Sequence, residues 1–305
     1  MLSAVRAEVS SQAQALEAYL AERVAPAPAG SICVGAGDSF VAASVAARLS
    51  PTKVFAFTPY DLMADPSASR GRHVYFVSAS GRTKANVAAA RSMKGVAART
   101  FAVTSDPGGP LSRATDSTLA LPCKVVPRTP GTLSFTLALL ALVKLTTTSP
   151  ACDFEGAFAL AERDAPKVLF SESGTTHFVG NGPASPISLY AALKVSEVLG
   201  APAQWGMLEE FGHAPLFSLR RPDTVNAFGA FDPLRVAPKL ARLLKKRGFG
   251  ASAIPAAPGT SLDAVFHLTF LAQLSVLRRA ERKGMAAAYL SRSPEKLAVS
   301  DSMIY

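Results

Sequence analysis

One pattern occurs twice in this chain: a short apolar stretch runs into a glycine turn and is followed by a helical stretch. SICVGAG begins the first copy at Ser31, and THFVGNG begins the second at Thr176. Short apolar stretches and helical stretches alternate after each copy, which is typical of a parallel sheet covered by helices on both faces. The chain is therefore predicted to be an α/β protein with two related halves.

The length and composition agree with two domains. The chain has 305 residues, of which 49% are hydrophobic and 18% are charged, so it can bury large cores and is too apolar to be disordered. We place the first domain at residues 1–150 and the second at residues 151–305, with the boundary near residues 148–158. Neither domain needs disulfides to bury its core.

The charge balance points to an anionic partner. Lys and Arg number 32 against 22 Asp and Glu, a formal charge of +10, which suits nucleic acid, an acidic membrane surface or a phosphorylated small molecule. The basic stretches 239–247 and 278–283 lie on predicted helices without interleaved aromatic residues, so we interpret them as solvated faces. We expect no nucleic-acid partner.

Cysteine usage and hydropathy indicate the compartment. Cys33, Cys123 and Cys152 are widely spaced and form no CxxC pair, which argues against a metal site and for a reducing compartment. The N-terminal stretch carries charges such as Arg6 and so differs from a signal peptide, and the apolar run 133–145 is too short for a bilayer. We expect a cytoplasmic protein without a membrane partner.

The segment SASGRT, from Ser78 to Thr83, follows the apolar stretch VYFV and begins a predicted helix. Free N–H groups at a helix N-terminus, together with the hydroxyls of Ser78, Ser80 and Thr83, are suited to hold a phosphate. Serine and threonine are also common helix caps beside a glycine such as Gly81. These six residues alone leave a cap and a phosphate cradle equally open.

A second glycine turn, GAGDS, lies at the end of the first predicted strand, from Gly35 to Ser39. It has Phe40 where a dinucleotide-binding fingerprint has its last glycine, so no hydride-transfer cofactor is expected. In a parallel sheet this turn would lie beside the Ser78 turn, at the edge where α/β proteins bind ligands. Ser39 would then reach the same anion.

The third segment, residues 192–215, carries two pairs of polar residues at helical spacing. Lys194 and Glu197 are three positions apart, as are Glu210 and His213. A carboxylate and an imidazole can move protons, and a neighbouring lysine can stabilise an oxyanion. Composition alone favours a simpler interpretation, the solvated face of an amphipathic helix.

Taken together, these segments resemble the double sugar isomerase (SIS) domain proteins, most of all the isomerase part of glucosamine-6-phosphate synthases. GAGDSF is similar to the family's GTSY segment, SASGRT to its SQSGET and EEFGHAPL to its ELKHGPL. The resemblance covers nearly the whole chain. It implies two three-layer αβα halves, each with a mainly parallel sheet flanked by helices.

The resemblance also assigns the phosphate site by position. The residues that would hold the phosphate of a sugar are Ser39, Ser78, Ser80 and Thr83, and Gly37 and Gly81 are further substrate-binding candidates. Ala79 replaces a glutamine that contributes to this site in the family.

The chemistry is assigned in the same way. Glu197 falls on the general base that moves a proton between C1 and C2, His213 on the histidine that opens the sugar ring, and Lys194 on a lysine of the same site. Glu210, in the motif of His213, is a further substrate-binding candidate. Because the family's histidine comes from the neighbouring subunit, the resemblance implies a homodimer with a shared active site.

The sequence departs from the family at two further positions of the site. Tyr190 stands where the family has a glutamate, and Val299 stands where it has a Schiff-base lysine, for which Lys296 is a candidate substitute. No glutaminase segment precedes the isomerase-like part, so we do not expect the complete synthase reaction.

A weaker resemblance is to the archaeal-type bifunctional phosphoglucose/phosphomannose isomerases. It rests on Pro127-Arg128 before a long helix, since that family places the arginine of such a pair at the substrate. Arg128 is therefore a substrate-binding candidate, and an ordinary loop arginine is the equally open alternative. The chain has GAGDS in place of that family's GMGGS.

These resemblances imply a phosphosugar aldose–ketose isomerase that acts on a hexose or aminohexose 6-phosphate through an enediolate, without cofactor or metal. Two alternatives stay open: a ketosamine-phosphate deaminase with the same domains, and a phosphosugar-binding regulator in which Tyr190 and Val299 mark lost catalysis.

Overall fold

The computed structural model describes residues 2–50, 53–147 and 149–305; position 148, where the predicted boundary region begins, lies outside them. The chain divides into two compact units. Unit 1 comprises Met1–Gln14 and Ala151–Arg292, and unit 2 comprises Ala15–Pro150 and Ser293–Tyr305. Each unit has its own sheet and its own hydrophobic core.

The strands of the described residues form two sheets. They are β1 (Ser31–Val34), β2 (Val54–Phe57), β3 (His73–Val77), β4 (Arg99–Thr104), β5 (Ser117–Ala120), β6 (Thr176–Gly180), β7 (Ala203–Met207), β8 (Thr224–Phe228) and β9 (Gly250–Ile254). The order is β2-β1-β3-β4-β5 in unit 2 and β7-β6-β8-β9 in unit 1, and neighbouring strands are parallel. The predicted α/β class is confirmed.

Helices connect the strands. They are α1 (Leu2–Ser10), α2 (Gln12–Ala21), α3 (Asp38–Leu49), α4 (Pro59–Ala64), α5 (Lys84–Ser92), α6 (Pro110–Ala114), α7 (Leu133–Thr146), α8 (Phe154–Asp164), α9 (Ala184–Lys194), α10 (Leu208–His213), α11 (Val236–Lys246), α12 (Ser261–Arg282) and α13 (Pro294–Ile304). Within the residues that the structure describes, none of the helices combines the length and apolar character that a bilayer span requires.

The centre of the unit 2 sheet is buried on both faces. All of β1 and most of β3 are buried, and Ile32 and Phe76 belong to a core that includes residues of α4 and α5. Continuous apolar strands of this kind are typical of a parallel sheet between two helix layers. Burial raises the pKa of the Cys33 thiol in β1 to about 12, as is typical of an unreactive cysteine in a core.

Unit 1 is organised around β6 and α12. The strand β6 is buried along its whole length, and α12 is buried from Leu262 to Leu277. Its first turn has a capping box in which Thr260 and Asp263 satisfy each other's backbone N–H groups. This buried helix packs against α8 and α9, so it fixes the position of α9.

Both ends of the chain are helical, and one strand was not predicted from the sequence. The N-terminal segment forms two helices, which break at Ser11, where the side-chain hydroxyl donates to the Glu8 carbonyl oxygen. The strand β7 was not predicted, because three of its five residues are exposed and the segment AQWGM has little apolar pattern. The C-terminal tail forms the helix α13.

Candidate functional site

The first glycine turn joins β1 to α3 in unit 2. A side chain at Gly35 would place its Cβ 2.5 Å from the backbone carbonyl carbon of Ser39, and Gly37 has a φ of 55°, so both positions favour glycine. The turn brings Ser39 into the first turn of α3. Because the N-cap residue is Gly37, no side chain caps this helix.

The second turn, Ser78 to Thr83, joins β3 to α5. Gly81 has a φ of 65° and donates its N–H to the Ser78 carbonyl oxygen at 2.9 Å. A Cβ on Gly81 would lie 2.9 Å from Thr104 Oγ1, so the turn has no room for a larger residue. Both the left-handed backbone and the close approach explain why the sequence has glycine here.

The start of α5 shows whether a side chain caps this helix. Thr83 is the N-cap residue, but its side chain makes no capping hydrogen bond. Its hydroxyl oxygen lies 3.1 Å from that of Ser78, which is buried. The hydroxyls therefore face each other across the turn, and the Thr83 side chain does not take up the N–H groups that begin α5.

The two turns leave the sheet side by side. β1 pairs directly with β3, and Val34 lies opposite Phe76 near the carboxyl ends of both strands. Ser39 and the Ser78 turn therefore emerge from neighbouring strands at one edge of the unit 2 sheet. That edge is where parallel α/β sheets bind ligands.

A cavity of about 840 Å³ opens beside the Ser78 turn within unit 2. Its walls come from the ends of β3 and β4, the loop after β5 and the C-terminal helix; the lining includes Ser80, Arg82, Asp106, Lys124, Arg128, Asp301 and Tyr305. Arg128 is exposed and has a φ of 63°, a strained conformation for a residue other than glycine. Three of these side chains are cationic and two are anionic, and Arg82 lies 3.6 Å from the carboxylate of Asp106.

Sequence reasoning selected Ser80 and Arg128 from this lining and missed the rest. Arg82 and Lys124 carried one usable signal, since each follows shortly after the end of a predicted strand in a parallel sheet. The tail residues Asp301 and Tyr305 carried none, because their sequence distance from the turn gives no hint of contact.

In unit 1, α9 ends at Lys194 and continues as a π-helical turn, Val195–Leu199. The Lys194 ammonium donates to the Glu197 carboxylate with an Nζ–Oε2 distance of 2.6 Å. The lysine side chain is 1% exposed and that of the glutamate 31%. The structure thus joins two predicted site residues into one pair, and π turns of this kind recur at functional sites.

The other predicted pair lies on the short helix α10. His213 and Glu210 are both exposed there. In the described residues, the ion pair of His213 is with Glu209, at 3.6 Å between Nε2 and Oε1. The ion pair of His213 is therefore made with a neighbour on its own helix.

The structure also places the residues at which the sequence departs from the motifs of the SIS-domain proteins. Val299 is 62% exposed on α13, and Lys296 is exposed one turn earlier on the same helix. Tyr190 is fully buried in α9, with its ring centroid 4.9 Å from the Lys194 nitrogen. The face of the Tyr190 ring therefore packs against the Lys194 ammonium, and the ring does not line an open surface.

No family model and no curated protein sequence matches this chain. Solved structures do match. The C-terminal domain of glucosamine-fructose-6-phosphate aminotransferase from Francisella tularensis matches with a TM-score of 0.74 at 20% identity, over 93% of this chain and 97% of that one. Glucosamine-6-phosphate deaminase from Thermotoga maritima matches with a TM-score of 0.69 at 19% identity, over 92% and 95%.

Tagatose-6-phosphate ketose/aldose isomerase from Escherichia coli also matches, with a TM-score of 0.67 at 17% identity, over 93% of this chain and 90% of that one. At such identities the likeness is one of fold. The chain has the SIS-type αβα fold, with a five-stranded and a four-stranded parallel sheet flanked by helices.

Proposed function

We propose that this chain is a phosphosugar aldose–ketose isomerase that acts on a hexose or aminohexose 6-phosphate. The Lys194–Glu197 pair carries the proposal, since a buried ammonium holds a partly open carboxylate. The likeness to proteins named as a 6-phosphate isomerase, a deaminase and an aminotransferase supports the substrate class.

The phosphate is held by the turns of unit 2. Ser39, Ser78, Ser80 and Thr83 supply hydroxyl groups at the carboxyl edge of the sheet. The N–H groups at the start of α5 add donors and the partial positive charge of a helix N-terminus. This binding lies away from the reacting carbons, so it contributes equally to the substrate and to the transition state.

Proton transfer is assigned to Glu197. Its carboxylate takes the proton from the carbon beside the carbonyl group, which leaves an enediolate, and returns that proton to the adjacent carbon. The Lys194 ammonium stabilises the negative charge that develops on the enediolate oxygens.

Ring opening is assigned to His213 of a second subunit. The imidazole is 69% exposed in the protomer, on a helix whose neighbouring polar side chains are exposed as well. A surface of this kind is suited to enter a partner's site, and the proposal therefore includes a homodimer.

The test is a screen of hexose and hexosamine 6-phosphates by thermal shift and by turnover, repeated with Glu197→Gln. General base catalysis contributes about 10²- to 10⁴-fold, so we expect turnover to fall at least about 100-fold while ligand-induced stabilisation is kept. The exposed Glu155, on α8 of the same unit, supplies the control variant Glu155→Gln.

The outcomes separate the alternatives. Full turnover by Glu197→Gln would remove the assigned base. Ammonia release from an aminosugar phosphate would identify a deaminase, and stabilisation by a sugar phosphate without any turnover would identify a binding protein.

A further inference from the structure

A chain of buried polar contacts leads from the N-terminal segment to the Lys194–Glu197 pair within unit 1. Gln12 donates through Nε2 to Oε1 of Gln273 at 2.7 Å, and Gln273 donates through Nε2 to the Tyr190 hydroxyl at 2.9 Å. The Tyr190 ring then lies 4.9 Å from the Lys194 ammonium. Three helices, α2, α12 and α9, each contribute to this contact chain.

Its members are withdrawn from solvent. Gln12 and Tyr190 are 0% exposed, and Gln273 and Lys194 are 1% exposed. Two amides in a core are costly unless both are hydrogen-bonded, and apolar residues of similar volume would fill the same space without that requirement. Packing alone therefore does not explain why both positions are glutamine. Hydrogen bonds that orient a specific side chain do explain it.

The side chain that they orient is Tyr190. A phenol without a partner could rotate with the packing around it, but the bond from Gln273 fixes the position of its hydroxyl group. The ring face is thereby fixed beneath the Lys194 ammonium, where the ring quadrupole attracts the cation. The ammonium in turn donates to Glu197, so the position of Gln12 is linked to that of the carboxylate.

We propose that Tyr190, Gln273 and Gln12 are positioning residues for the Lys194–Glu197 pair, which makes the N-terminal segment part of the reaction machinery of unit 1. The inference rests on the proposed isomerase function for its kinetic consequence. Its structural consequence, the fixed position of the Lys194 amine, does not depend on any substrate.

The experiment uses the full-length double variant Gln12→Leu/Gln273→Leu, which replaces both amides by apolar side chains of similar size and so preserves packing. For the sugar phosphate found in the screen, we expect kcat to fall about tenfold with KM unchanged, because reacting groups are misplaced while the phosphate turn in unit 2 is intact. Gln14 is exposed on the same helix, α2, and Gln14→Leu is the matched control.

A second measurement needs no substrate. Lysines are acetylated with acetic anhydride under native conditions, and the labelling rates of Lys194 and Lys144 are compared by peptide mass spectrometry. Lys144 is also buried, but it lies in unit 2, so it reports general loosening. We expect the Lys194 to Lys144 ratio to rise several-fold in the double variant, in Tyr190→Leu and in Tyr190→Phe, which keeps the ring but loses the hydroxyl that Gln273 holds. The ratio should stay near the wild-type value in the control Gln14→Leu.

The results distinguish this inference from the proposed function. If no sugar phosphate is turned over, the isomerase proposal fails, and the labelling ratio still decides the positioning role. A folded double variant with the wild-type kcat and labelling ratio overturns the inference. Should that variant not fold, an unchanged labelling ratio in Tyr190→Leu overturns it instead.

Discussion

At the scale of single residues, the proposed phosphate turn is built from hydroxyl groups and glycines more than from the cationic surplus. Gly81 is required by its positive φ and by Thr104 beneath it, and the Ser78 and Thr83 hydroxyls lie 3.1 Å apart. The formal charge of +10 is spread over the chain, whereas the turn has Arg82 as its one cationic side chain and otherwise presents neutral donors. Surface charge raises the local concentration of anions, and in the proposed site the turn selects their geometry.

Ser78→Ala is predicted to weaken phosphosugar binding without slowing the chemistry. In the proposed binding mode the hydroxyl touches the phosphate in the substrate and in the transition state alike, so we expect KM to rise about tenfold with little change in kcat. Steady-state kinetics with the substrate from the screen would measure both constants. Ser92→Ala, at the other end of α5, is the control, and a fall in kcat at constant KM would contradict the assignment.

At the scale of elements, buried charged or titratable side chains connect neighbouring helices. Lys144 of α7 donates to the carbonyl oxygens of Leu20 and Glu22 at 3.1 and 2.7 Å, and so satisfies the C-terminal end of α2 within unit 2. In unit 1, His267 of α12 lies 3.3 Å from Asp164 of α8, and both side chains are 0% exposed.

The His267–Asp164 contact predicts how stability depends on pH. Burial lowers the pKa of His267 from 6.5 to about 4. The negative charge of Asp164 acts to raise that pKa, but this carboxylate is already paired with Lys167 and Arg163. Burial acts to raise the pKa of Asp164, and the hydrogen bond and charge of Lys167 bring it below its ordinary value. His267 is therefore neutral in the folded protein at pH 7.

Because the unfolded chain protonates this histidine more readily, the free energy of unfolding should fall as the pH drops from about 6.5 to 4, by up to about 3 kcal/mol. The variant His267→Gln should lack this fall in the free energy of unfolding. At lower pH, protonation of Asp164 affects the stability of both proteins. Urea denaturation from pH 4 to 7 measures the difference. The exposed His213 gives the control His213→Asn, and identical pH profiles for wild type and His267→Gln would contradict the prediction.

The elements also show what the sequence could reveal. Strands such as β1 and β6 were predictable because burial on both faces makes them continuously apolar, and the Lys194–Glu197 contact followed from a spacing of three residues. The strand β7, half exposed, has no such pattern. The partners of Tyr190 were not predictable either, because Gln12 and Gln273 are brought to it by long-range packing, on which local sequence carries no information.

At the scale of the whole molecule, the proposed function requires more than one chain. Glu197 and His213 belong to the same unit, but His213 pairs with Glu209 on its own exposed helix. If a homodimer forms, each site takes Glu197 from one subunit and His213 from the other. A symmetric dimer then has two such sites, related by the two-fold axis.

Mixing two inactive variants tests this arrangement. In a dimer of a Glu197→Gln subunit and a His213→Asn subunit, one site carries both substitutions and the other carries neither. Random mixing gives about half mixed dimers, so activity should recover to about a quarter of the wild-type value. Co-expression with two affinity tags isolates the mixed dimer, and sedimentation verifies its size. If His213 instead acts on Glu197 of its own subunit, every site lacks one group and the mixture stays inactive.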